Sequence, residues 1–112
     1  MPNRTALDQV FQALADPTRR AVLERLNRGG PAPMSDLARP FRMALPSFAQ
    51  HLDVLENCGL VKSTKTGRVR TYRLAPQRLK VAGSWLEKQQ VQWERRLGQL
   101  DDYLTELKEK NR

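Results

Sequence analysis

Cysteine and histidine are almost missing from this chain. Its 112 residues hold one of each, Cys58 and His51. A lone thiol excludes an internal disulfide framework and a thiolate cluster for zinc. A lone imidazole removes most catalytic and metal-ligand schemes. No apolar run approaches the roughly 20 residues of a membrane span. The first ten residues, MPNRTALDQV, lack the apolar core of a signal peptide, so a cytoplasmic protein without a membrane partner is expected. No nucleophile–base pair, phosphate-binding glycine loop or paired catalytic carboxylates are visible, which argues against an enzyme. Repeats and low-complexity segments are also lacking. A chain of this length makes one domain with a modest core, and 39% hydrophobic with 29% charged residues fits a globular protein.

Acid is lacking from one segment in particular. Residues 57–86 hold seven basic side chains, Lys62, Lys65, Arg68, Arg70, Arg73, Arg78 and Lys80, and no Asp or Glu. The flanking parts are close to balanced, with 7 basic and 6 acidic before and 6 of each after, so this block carries almost all of the net +8. Solvated faces usually mix signs. One-signed clustering points to a polyanion, with nucleic acid favoured over a membrane surface.

The apolar spacing is helical on both sides of that block. Leu7, Val10, Phe11 and Leu14 form the stripe of a first helix. Asp16-Pro17 supplies an N-cap and a first-turn proline for a second, lined by Val22, Leu23 and Leu26 and ended by Asn27-Arg28-Gly29-Gly30-Pro31. Ser35 is placed to cap a short third helix through Leu37 and Ala38, which Pro40 stops. A fourth starts near Ala44, with Pro46 in its first turn. Phe48, Leu52 and Leu55, joined by Val54, face the core, and Gly59 stands where a left-handed cap belongs. Two short helices joined by a tight turn, the second with a polar first turn, make a helix-turn-helix.

LVKSTKTGRVRTYRL then reads as a β-hairpin turning around Thr66-Gly67. Leu60, Val61, Tyr72 and Leu74 face the core, while Lys65, Arg68 and Arg70 gather toward the tip. By itself this is equally well a surface hairpin with solubilising charges. Directly after a helix-turn-helix it is a wing that contacts phosphates. The last third is one helix of more than 20 residues, about 30 Å long. Leu86, Trp93, Leu97, Leu100, Leu104 and Leu107 repeat along it every 3.5 residues, the spacing of a helix paired with a second copy. The expected fold is therefore mainly α with a small β-hairpin, in the order α-α-α-α-β-β-α. Residues 1–15 hold the first helix, 34–58 the helix-turn-helix, 60–74 the wing and 76–112 the helix that carries the pairing seam.

ALADPTRRAVLERL, PSFAQHLDVLENCGLVKSTKTGRVRTYRL and the Trp-containing terminal helix together resemble the ArsR-type winged-helix transcription regulators. The likeness runs from about Leu7 to the C-terminus with the segments in the family's order. It implies a homodimer, built by the first and last helices, that binds double-stranded operator DNA and represses transcription until a signal releases it. Leu7, Phe11, Leu86, Trp93, Leu97, Leu100 and Leu104 would then line the dimer interface. The stretch Ala44–Leu52 matches the family's recognition motif, so Leu45, Pro46, Ser47, Ala49, Gln50 and His51 would face DNA. Lys65, Arg68 and Arg70 would meet phosphate or the minor groove.

The chain also departs from the pattern. Ala44 replaces the usual Ser or Thr cap, and Gln50 stands where a basic residue is common. The third helix, Ser35–Arg39, lacks the Cys-x-Cys metal pair. The last helix offers Asp101, Asp102, Glu106 and Glu109 without His or Cys, a poor set for a soft or borderline metal. The resemblance is thus to the metal-independent branch, with no cofactor expected and a small-molecule or protein effector unidentified. Trp85, Trp93 and Tyr103 either fill the dimer core or line a ligand pocket between subunits. Two further readings stay open: a protein-interaction module, and a thiol-responsive regulator acting through Cys58.

Overall fold

The computed structural model describes residues 5–111. Residues 1–4 and 112, parts of the expected pairing segments, lie outside the described residues. The chain divides into two compact units, one ending at Ala82 and the other beginning at Gly83.

The first unit opens with α1 (Ala6–Leu14), started by a capping box in which Thr5 Oγ1 accepts from Asp8 N–H at 3.1 Å and Thr5 N–H donates to the Asp8 carboxylate at 3.3 Å. Helix α2 (Pro17–Gly29) follows, capped by Asp16, whose carboxylate accepts from Arg19 N–H at 3.0 Å. Gly30, with φ 75°, ends it in a conformation that an L side chain rarely adopts. Next come β1 (Ala32–Pro33), α3 (Met34–Ala38) and α4 (Leu45–Asn57). The strands β2 (Val61–Thr66) and β3 (Val69–Leu74) precede α5, which spans Pro76–Lys110.

Three strands, rather than the two of a simple hairpin, make the sheet. Its order is β1-β3-β2, all antiparallel, with Ala32 opposite Tyr72 and Pro33 opposite Thr71. The added strand has two residues, one of them a proline that has no N–H to donate, so it lies at the sheet's edge. Between β2 and β3 the turn is Gly67-Arg68, one residue beyond the expected centre. Thr66 pairs with Val69, and Gly67 has φ 62°. Glycine at the first central position is what a two-residue type II′ turn requires.

Phe48, Leu52 and Leu55 are each 0% exposed and join Val10, Val22, Leu26, Leu37, Leu60, Val61 and Tyr72 in one core. Leu74 is only half-buried. Val54 does not join the core: it is 37% exposed, because it follows Asp53 on the outer side of α4. The expected capping of α3 by Ser35 is also corrected. Pro33 holds the cap position with no side-chain hydrogen bond, and Ser35 lies one turn position inside the helix. At the other end of α4 the glycine signal is complete. Gly59, at φ 82°, donates to Glu56 O, and Leu60 N–H donates to Leu55 O, both at 3.0 Å. This pair of bonds is a Schellman motif, and it turns the chain directly into β2.

The cap of α2 yields a stability prediction. Partial burial raises the Asp16 carboxyl, but the Arg19 N–H, His51 and the Arg19 guanidinium outweigh it and hold the group below its ordinary value. A lowered folded pKa means that the ionised cap contributes fully above the ordinary carboxylate range, and that its contribution is lost as pH falls through the folded value. Asp16→Ala is expected to cost about 1 kcal/mol at neutral pH. The difference from the parent should shrink in acid, as pH falls below the ordinary carboxylate range and through the lowered folded value. Urea unfolding of both proteins at neutral and acid pH checks this.

The second unit, from Gly83 onward, is a single helical stretch of α5 with no buried residue among those described. Trp93 is 64% exposed, Leu100 52% and Leu104 48%. Leu86, Leu97, Tyr103 and Leu107 are exposed as well. Among the described residues no helix is long and apolar enough to cross a membrane.

Candidate nucleic-acid interface

The first turn of α4 presents its side chains outward. Leu45 is 58% exposed, Pro46, Ser47 and Gln50 are exposed, and Ala49 and His51 are half-buried. Ala44 occupies the cap position and gives no side-chain hydrogen bond. The first-turn N–H groups of a helix have no acceptor within it. Pro46 has no N–H, so without a capping side chain the N–H groups of Leu45 and Ser47 remain the donors at the positive end of the helix dipole, where a phosphate oxygen is favoured. The Ser47 hydroxyl and Gln50 amide stand on this end and are able to bond base edges or phosphate.

The wing is fastened to the same helix. Ser63 N–H and Oγ donate to the Glu56 carboxylate at 3.0 and 2.6 Å. Arg70 donates in turn to Ser63 Oγ at 2.8 Å. Glu56 lies in the last turns of α4, so the chain Glu56–Ser63–Arg70 sets where β2 and β3 leave the helix. Tyr72, opposite Ser63, is buried; burial first, then the nearby Glu56 charge, push its phenol pKa up. Lys65, Arg68 and Arg70 are all exposed. Lys65 faces Arg70 across the ladder, and Arg68 occupies the turn. Arg68, Val69 and Arg70 share a cavity of about 180 Å³ with Pro33, Met34 and Ser35. The cationic tip therefore lies beside the start of α3, not isolated in solvent.

His51 has a structural attachment that its sequence position did not reveal. Its Nδ1 lies 3.2 Å from an Arg19 guanidinium nitrogen and 3.7 Å from the Asp16 carboxylate. Arg19 also donates to Ala13 O at 2.8 Å and Gln12 O at 3.1 Å. One guanidinium thus ties the end of α1, the start of α2 and the middle of α4. In the tautomer with a bare Nδ1, Arg19 donates to it and Nε2 carries the ring proton. Arg19, Glu56 and Ser63 were absent from the expected site. Nothing in their spacing marks them, because each acts through a partner distant in sequence.

Cys58 is 6% exposed, and its Sγ donates to Leu55 O at 3.3 Å. Burial, the largest influence, pushes its thiol pKa up. Reactive cysteines require an accessible thiolate, and this environment supplies the opposite. The native thiol is therefore expected to react with Ellman's reagent only as the fold opens, and rapidly once urea unfolds it. Immediate stoichiometric labelling of the folded protein would contradict that. Among the described residues no three His, Cys, Asp or Glu side chains are gathered for a metal ion.

An outward helix end in a helix-turn-helix, braced by a cationic wing, defines a winged-helix nucleic-acid-binding protein. Residues 14–64 match the family model described as a helix-turn-helix domain. The HTH-type transcriptional regulator Rv2034 of Mycobacterium tuberculosis is 45% identical over 69 residues, which cover 62% of this chain and 64% of that protein. A crystal structure of an ArsR family transcriptional regulator superposes with TM-score 0.77 at 50% identity, covering 84% of this chain and 97% of that one. The solution structure of the homodimeric winged helix-turn-helix DNA-binding domain of Mb0332 from Mycobacterium bovis gives TM-score 0.60 at 25% identity, over 85% and 93% of the two chains. The chain belongs to the ArsR family of winged helix-turn-helix transcriptional regulators.

Proposed function

We propose that the protein is a cytoplasmic, homodimeric repressor that binds a palindromic operator in double-stranded DNA. The first turn of α4 enters the major groove, where Leu45, Pro46, Ser47, Ala49 and Gln50 face base edges and Gln50 offers amide geometry suited to adenine. His51, held by Arg19, brings an Nε2 donor to the flank of that contact. Lys65, Arg68 and Arg70 neutralise phosphates alongside. A second copy covers the apolar seam of α5 together with Leu7 and Phe11. The observation that carries this reading is the uncapped, outward first turn of α4 joined through Glu56 and Ser63 to a wing rich in cations.

The seam supports the second copy. Gly83–Lys110 is about 42 Å of helix at 1.5 Å per residue, and Trp93, Leu97, Leu100 and Leu104 along it are 64%, 44%, 52% and 48% exposed. Single exposed apolar residues are ordinary, but a continuous row at heptad spacing marks an association surface. The M. bovis neighbour is a homodimer.

Sequence reading and phosphate positioning are separable by mutation. Ser47→Ala or Gln50→Ala is expected to cost about 1–3 kcal/mol per lost base contact at the cognate site. Binding to unrelated DNA should be nearly unchanged. Selection of bound genomic fragments, followed by titration of cognate and scrambled duplexes at physiological salt, measures both. Equal affinity of the parent for the two duplexes would refute sequence-specific recognition.

A further inference from the structure

A second cavity lies away from the wing, between α2 and the turn that leads into the recognition helix. It encloses about 210 Å³ and is lined by Ala21, Val22, Arg25, Arg28, Leu37, Pro40 and Phe41. Val22 and Leu37 are part of the buried core, and Phe41 packs against it. Arg25 and Arg28 are among its lining residues, and no Asp or Glu is. Gly29 leaves the space into which the Arg25 guanidinium folds, since a Cβ there would collide with it. Apolar walls with two arginines and no acid in the lining suit one ligand chemistry: a small ring or short chain bearing a single carboxylate. A DNA phosphate would gain nothing from walls formed by Val22, Leu37, Pro40 and Phe41, so the cavity favours the organic acid.

The cavity is also linked to α4. Phe41 forms one wall, and its ring centroid lies 5.4 Å from that of Phe48, with the planes tilted by 30°. Phe48 is fully buried and sits between Ser47 and Ala49 on the helix proposed to read DNA. A guest that displaces Phe41 must either move Phe48 or lose that contact. We propose that this cavity is an effector site for a small organic monocarboxylate, and that occupancy is transmitted to the recognition helix through the Phe41–Phe48 contact. The transmission, though not the binding, rests on the operator-binding reading above.

The test uses the full chain, isotopically labelled, with benzoate as the probe. The amide resonances of residues 21–28, 37–39 and 41 should shift saturably, followed by those of Phe48 and Ser47. Benzamide, which has the same shape without the charge, should not saturate. Arg25→Gln with Arg28→Gln, at exposed positions, should weaken benzoate at least about tenfold, as loss of charge-assisted bonds does. Ala21→Leu, which fills the cavity, should abolish the response. Scattered or unsaturable shifts, or equal affinity in the arginine variant, would overturn the site. Saturable binding that leaves Phe48 and operator affinity unmoved would overturn the transmission. Loss of operator affinity in the arginine variant without any benzoate binding would show that the two guanidiniums hold DNA instead. Operator titration of the unliganded parent separates all of these results from failure of the operator-binding reading.

Discussion

Trp93→Glu combined with Leu100→Glu is expected to turn a dimeric protein into a monomer and lower operator affinity by about 10²–10⁴-fold, the gain that linking two binding modules provides. Both residues lie on the exposed seam of α5. They are seven positions apart, so they occupy one row of the helix. Glutamate is a good helix former, and the variant should keep its helical signal while losing self-association. Four carboxylates placed along a paired seam repel one another and are costly to desolvate. The winged unit ends at Ala82, before either substitution, so its core should survive. Light scattering coupled to gel filtration measures the mass, and titration of a two-half-site duplex measures the affinity. A variant that still binds as tightly as the parent would separate the seam from DNA recognition.

Removing the wing cation at the turn should have the second-largest effect, with a different signature. Arg68 occupies the turn and makes no hydrogen bond or ion pair among the described residues, whereas Arg70 is bonded to Ser63 Oγ at 2.8 Å. The free guanidinium is the one able to neutralise a phosphate without first losing a partner. Each phosphate contact contributes about 0.9 to the slope of log affinity against log salt, or about eightfold at 0.1 M. Arg68→Ala removes two contacts from a dimer. The slope should therefore become shallower by about two units, with affinity falling about 60-fold at 0.1 M salt. The loss should be the same for cognate and unrelated duplexes, because phosphates carry no sequence. Arg70→Ala is expected to change the slope less, and to loosen the wing through its bond to Ser63. Titrations at four salt concentrations distinguish the two variants. An unchanged slope for Arg68→Ala would remove that side chain from the phosphate contacts.

The parts that were legible in the sequence are those encoded by local rules. Phe48, Leu52 and Leu55 declare the inner face of α4 by spacing alone, and Gly59 marks its end because only a left-handed residue closes the Schellman bonds. Asp16-Pro17 announces α2 in the same way. The acid-free block locates the wing because charge composition survives any error of register. Misplaced features failed for physical reasons. Ala32-Pro33 reads as a loop since a two-residue edge strand containing proline has no alternation to detect. Ser35 looks like a cap, but the backbone enters α3 two residues earlier, at Pro33. Val54 is apolar yet faces outward, so hydrophobicity misassigned it where helical angle decides. The links from Arg19 to His51 and from Glu56 to Ser63 and Arg70 span 32, 7 and 7 residues. No periodic signal encodes such bonds; they exist only once α2, α4 and the sheet are assembled.

Footprinting on a selected genomic fragment tests the central claim most directly. Two recognition helices related by a two-fold axis should protect two inverted half-sites whose centres lie about 10 base pairs, one helical turn, or a small multiple of it apart. Ser47→Ala and Gln50→Ala should alter cleavage within both half-sites equally. A single unrepeated protected patch, or uniform protection without a preferred position at physiological salt, would contradict the account.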